Sequence, residues 1–75
     1  MSDVILFSTS GCHLCEEAEA LLAQLDVRFL IQDIIDDPLL VEKYGITIPV
    51  VLITTNNTEL GWPFGLAELK QFLDS

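Results

Sequence analysis

Positive charge is scarce in this chain: three Lys and Arg stand against twelve Asp and Glu in 75 residues, for a formal charge of −9 at pH 7. That scarcity argues against nucleic acid and anionic membrane surfaces as partners, because both are bound through a basic face. Long apolar runs are also missing, and none approaches the roughly 20 residues that cross a bilayer. The start, Met1-Ser2-Asp3, lacks the basic opening and small-residue cleavage site of a secretory leader, so a cytoplasmic, soluble protein is expected. Cysteine occurs twice and histidine once. Tetrahedral zinc needs four ligands, so a complete metal site within one chain is not expected. There is no linker, repeat or low-complexity tract, and the length suits a single domain spanning 1–75.

What is present is a core. Hydrophobic residues make up 51% of the chain, too many for disorder even at this charge. Val4-Ile5-Leu6-Phe7 is a short continuous apolar run of the kind found in a strand buried on both faces. Leu14, Ala18, Leu21, Leu22 and Leu25 then recur at helical spacing with acids between them, and this helix is expected to end near Asp26. Val27–Ile31 reads as a second strand, which makes a βαβ unit with parallel strands and a right-handed crossover.

Further on, Asp37 and Pro38 mark a helix start as cap and first helical residue, and Gly45 is expected to end that helix in a left-handed conformation. Val50–Ile53 is a third strand, Asn56-Asn57 a turn, and Thr58–Leu60 a hairpin partner at the sheet edge. Leu66, Leu69, Phe72 and Leu73 outline a last amphipathic helix. The order βαβ, α, ββα predicts an α/β fold with a mixed four-stranded sheet flanked by helices on both faces.

The chemistry is concentrated in Cys12-His13-Leu14-Cys15, placed where the first strand gives way to the first helix. A thiol at a helix N-terminus feels the positive end of the backbone dipole, which favours its thiolate. A second thiol one turn later is within reach to form or resolve a disulfide. Two closely spaced cysteines in a reducing compartment make a poor structural staple, which leaves redox catalysis or metal binding. His13, when protonated, would add to the dipole, while Glu16, Glu17 and Glu19 oppose it. Neighbouring helical residues point in different directions, so His13 reads as a solvent-facing residue that tunes charge; the other reading is a general base. Trp62, Pro63 and Phe64 are candidates both for an apolar rim beside the dithiol and for core cover.

The element order, the Cys12-x-x-Cys15 motif and Thr47-Ile48-Pro49 together resemble the thioredoxin-like superfamily, and among its members the small glutaredoxin-like proteins. Gly11-Cys12-His13-Leu14-Cys15 and Leu60-Gly61-Trp62-Pro63-Phe64 are similar to a glutaredoxin-like branch. The resemblance implies strand order 4-3-1-2 with the third strand antiparallel to the rest, and a cis bond between Ile48 and Pro49. It also implies that the N–H and C=O of Ile48 pair with an extended substrate.

On this footing Cys12 and Cys15 are the catalytic residues of a dithiol–disulfide oxidoreductase. His13, Leu14, Ile48, Pro49, Gly61 and Trp62 would contact substrate. No metal ligand and no cofactor is expected, with glutathione as a potential co-substrate. The partner is then a protein disulfide or glutathione, and the chain a monomer. Glutathione-using relatives carry a basic residue ahead of the first cysteine, where this chain has Ser8-Thr9-Ser10-Gly11. They also carry a Gly-Gly pair followed by an acid, where this chain has Gly61-Trp62-Pro63-Phe64-Gly65. Two further readings remain open: a non-catalytic thioredoxin-fold binding module, and a metal or iron–sulfur site shared between chains or completed by external thiols.

Overall fold

The computed structural model describes residues 3–74, so Met1 and Ser2 of the acidic start lie outside the described residues. The elements run β1 (Val4–Ser8), α1 (His13–Gln24), β2 (Leu30–Asp33), a 3₁₀ turn (Ile34–Asp36), α2 (Pro38–Tyr44), β3 (Val50–Ile53), β4 (Thr58–Gly61) and α3 (Leu66–Asp74). The sheet has the order β2-β1-β3-β4. Strands β1 and β2 are parallel, and β3 runs antiparallel to both β1 and β4. The expected mixed sheet, with its third strand reversed, is thus the observed one.

Period-two alternation divides the strands between two cores. Leu6 and Val51 face α1 and α3, where they pack with Ala18, Leu22, Phe64 and Leu69. Phe7 and Val50 face the other way, joining Ile34 from the 3₁₀ turn and Tyr44 from α2. Helices therefore cover both faces, as the apolar runs of β1 and β3 require of central strands.

Helix boundaries follow local chemistry. The Asp37 carboxylate accepts from the Leu39 N–H at 3.0 Å and Pro38 holds the first helical position, so α2 starts as its sequence indicates. Helix α1 ends in a Schellman arrangement: the Val27 N–H reaches the Leu22 carbonyl at 3.5 Å and the Asp26 N–H reaches the Ala23 carbonyl at 3.1 Å. Asp26 supplies the left-handed residue, at φ 57°.

Three readings of the sequence are corrected. The second strand begins at Leu30 rather than Val27 and runs to Asp33. Phe29 is drawn down against the α1 side of the core instead of extending the ladder, and the polar Gln32 and Asp33 complete the pairing with Phe7 and Ser8. The 3₁₀ turn was not foreseen; Asp33 starts it by accepting from the Ile35 N–H at 3.0 Å. Gly45 is not left-handed: its φ and ψ are −54° and −29°. Glycine is needed there because a Cβ would stand 2.5 Å from the Val41 carbonyl oxygen.

Candidate active site

The strand register gathers four distant stretches at one end of the sheet. Strand β1 runs toward this end and continues into the cysteine loop; its partner pairs there are Ser8 with Asp33 and Phe7 with Val50. Because β3 is antiparallel to β1, its entry residue Pro49 lies at the same end, and Val50 pairs in turn with Gly61 of β4. The Trp62 N–H then donates to the Pro49 carbonyl at 3.1 Å, closing the group. Topology alone thus brings Cys12, Pro49, Gly61 and Trp62 to one rim.

The cysteine loop is a tight turn. The Cys12 N–H donates to the Thr9 carbonyl at 3.3 Å, and Gly11 takes φ 79° within it. A Cβ on Gly11 would touch nothing within 4 Å, so the positive φ alone calls for glycine. The turn delivers Cys12 as the N-cap of α1. Its extended backbone lets the carbonyl accept from the Glu16 N–H at 3.3 Å, while its Sγ accepts from the Cys15 N–H at 3.2 Å. Sulfur here occupies the place that Ser, Thr or Asp oxygens commonly hold. A backbone donor and the helix end both face the Cys12 sulfur, which is the arrangement that steadies negative charge on it.

Both cysteines are free thiols, and their surroundings differ. Cys12 is partly exposed, whereas Cys15 is only 3% exposed. Burial pushes the Cys15 thiol up to about 12, helped by its hydrogen bond to Cys12 and by the charges of Cys12 and Glu19, while a backbone hydrogen bond involving Thr9 works against the shift. Cys15 therefore holds its proton at neutral pH. One thiol meets solvent at a helix end and the other waits behind it, neutral.

The remaining sequence candidates fall around this pair. His13 is well exposed, with Nδ1 4.0 Å from Glu16 Oε2, so it faces solvent. Leu14 is 40% exposed between the cysteines. Pro49 is fully buried, and the Ile48–Pro49 bond is cis, as is the Trp62–Pro63 bond. Gly61 is exposed at the end of β4. Trp62 is half-buried, set edge-to-face against Phe64 at 5.0 Å, and Phe64 itself belongs to the core. The Ile48 N–H, expected to pair with substrate, donates to the Tyr44 carbonyl at 3.1 Å. Pairing with substrate through that N–H would require this bond to open. Among the described residues no group of three or more His, Cys, Asp or Glu is placed to hold a metal ion.

Tyr44 is the residue that sequence reasoning missed, having read it only as a helix end. Its ring stacks on Phe7 with centroids 4.6 Å apart, and its hydroxyl donates to Glu59. Its carbonyl also accepts from the Thr47 N–H at 3.0 Å, besides Ile48. Burial, reinforced by Glu59, holds the phenol above its ordinary range, with Lys43 opposing. One side chain and its carbonyl thus link β1, β4 and the loop that enters Pro49. The available signal was a tyrosine four residues ahead of Ile48, at the end of an apolar helix face where a buried hydroxyl must find a partner.

Comparison with known proteins supports the fold and places the chain in a family. The family described as Glutaredoxin-like domain (DUF836) matches residues 3–74. The X-ray structure of the structural-genomics target XcR50 from X. campestris is 36% identical, with a TM-score of 0.88 and 95% of each chain covered. The solution structure of Ne2328 from Nitrosomonas europaea is 23% identical at a TM-score of 0.79, covering 93% of this chain and 88% of that one. The glutaredoxin grx-1 from Archaeoglobus fulgidus is 21% identical at a TM-score of 0.74, covering 100% and 89%. No curated protein matches the chain.

Proposed function

Because the chain belongs to the glutaredoxin-like domain family, we propose that Cys12 and Cys15 carry out thiol–disulfide exchange on a protein disulfide or a glutathione mixed disulfide. The observation that supports this most is the asymmetry of the pair: a partly exposed sulfur at a helix N-terminus, held by the Cys15 N–H, in front of a buried neutral thiol.

Cys12 attacks as thiolate one sulfur of the substrate disulfide. The Cys12–substrate S–S bond forms, the original S–S bond breaks, and the first substrate sulfur leaves as a thiolate that takes a proton from water. Mixed-disulfide formation removes the charge on Cys12, one of the influences holding the Cys15 proton in place. Cys15 then loses that proton to water and attacks Cys12 Sγ, and the second substrate sulfur departs. The substrate disulfide has gained two electrons and become two thiols; the protein has lost two and become the Cys12–Cys15 disulfide. An external thiol reductant reverses this to complete a cycle.

The test is single-turnover reduction of 2-hydroxyethyl disulfide by pre-reduced protein. Two substrate thiols should appear per chain, none with Cys12→Ser, and Cys15→Ser should accumulate the mixed disulfide, visible by mass. Equal activity in wild type and Cys12→Ser would reject the assignment.

A further inference from the structure

Ile46 stands out among the exposed apolar residues, at 99% exposed. It lies in the turn that follows α2, where Gly45 donates to the Val41 carbonyl at 2.8 Å and Thr47 donates to the Tyr44 carbonyl at 3.0 Å. Turn positions of this kind favour Gly, Asn, Asp or Ser, each for a local hydrogen-bonding or steric reason, and a β-branched apolar residue satisfies none of them. No folding argument accounts for Ile46, which buries nothing. Departures of this sort from local preference are expected where function intervenes.

The turn enters the Ile48–Pro49 segment, so it lies at the dithiol end of the sheet, on the side covered by α2. Leu14, between the cysteines, adds a second exposed apolar side chain at that end. Charge there is predominantly negative. Glu16 and Glu17 follow the dithiol, and Asp33, Asp36 and Asp37 lie where β2 leads into α2. Of the three cations, Arg28 precedes β2 at the far end of the sheet and Lys70 sits on α3; Lys43, in the last turn of α2 just ahead of Ile46, is 3.9 Å from Glu59, whose carboxylate offsets it.

We infer that Ile46 and Leu14 seat an apolar side chain of a cationic polypeptide disulfide, whose basic residues meet the surrounding carboxylates. This rests on the exchange reaction proposed above and narrows its substrate. An apolar contact beside the reacting sulfur selects for a polypeptide, and a field of carboxylates disfavours the anionic tripeptide glutathione.

The experiment compares second-order rate constants for reduction of two eight-residue peptides. Each carries a central cysteine flanked by leucine and disulfide-linked to 2-mercaptoethanol; one bears two lysines and the other two glutamates. 2-Hydroxyethyl disulfide is the small-substrate reference. At low salt the lysine peptide should react about tenfold faster than the glutamate peptide, and the ratio should collapse toward one as salt shortens the screening length. Ile46→Ser should slow the lysine peptide about tenfold, matching the loss of one buried aliphatic side chain, and leave the small disulfide unchanged. Leu30→Ser is the control, because Leu30 is 56% exposed on edge strand β2 opposite Ile5, away from the dithiol. Its rates should match wild type. If the small disulfide reacts but the two peptides do not differ, or Ile46→Ser has no effect, this inference fails and the exchange assignment stands. If the small disulfide is inert as well, both fall.

Discussion

Replacing Cys15 with alanine should change how stability depends on pH, and the change can be worked from the burial of that thiol. Its ordinary value of 9.0 is pushed up to about 12 in the fold, first by burial and then by its contact with Cys12. Well below pH 9 both the folded and the unfolded chain keep this proton, so it contributes no pH dependence there. Above pH 9 the unfolded thiol ionises while the folded one does not. The folded state then binds more protons, so stability falls as pH rises. The slope grows to about 1.4 kcal/mol per pH unit as the unfolded thiol becomes fully ionised and continues until the folded thiol itself ionises. A chain of this size is stable by roughly 4–11 kcal/mol, so such a slope is easily seen.

The assay is urea unfolding of the reduced protein at pH 8, 9, 9.5 and 10, beside Cys15→Ala. The shift at Tyr44 acts in the same direction but starts from 10.0, and it is common to both proteins, so the difference between them isolates Cys15. Cys15→Ala should show a constant offset below pH 9 and then lose stability more slowly than wild type. Parallel curves through pH 10 would refute the claim that Cys15 is buried and neutral.

Two substitutions test the loop and cap geometry. Gly11→Ala places a Cβ at φ 79° with no steric contact to blame, so a loss of about 1–2 kcal/mol in chemical denaturation would report backbone conformation alone; no loss would mean the turn can take another form. Asp26→Gly puts the preferred residue at the left-handed end of α1 and removes one of twelve acids. It should stabilise the fold by about 0.5–1 kcal/mol, read as a rise in the thermal midpoint, and a fall would contradict the cap assignment.

Much of this fold was legible in the sequence, because its strongest signals are local. The continuous apolar runs of β1 and β3, the helical spacing from Leu14 to Leu25, and Asp37-Pro38 each specify their element without tertiary help. What could not be read depended on partners distant in the chain. Strand β2 begins at Leu30 because β1 supplies its hydrogen bonds and Phe29 is pulled into the core. Gly45 answers to the Val41 carbonyl rather than to its own φ. At the site, the two cysteines declared themselves by spacing, and Pro49 and Trp62 by resemblance. Tyr44 did not, because its role comes from Phe7, Glu59 and Ile48 converging on it across the fold. Ile46 was passed over because one apolar residue in a loop is unremarkable until its exposure is known.

The division of labour between the cysteines is tested most directly by timed alkylation of the reduced protein with iodoacetamide at pH 7, with each site located by peptide mass. Cys12, partly exposed, should be modified at least tenfold faster than Cys15, which is 3% exposed and holds its proton up to about pH 12. Equal labelling of both, or labelling of Cys15 first, would contradict the assignment of Cys12 as nucleophile and Cys15 as the thiol that resolves.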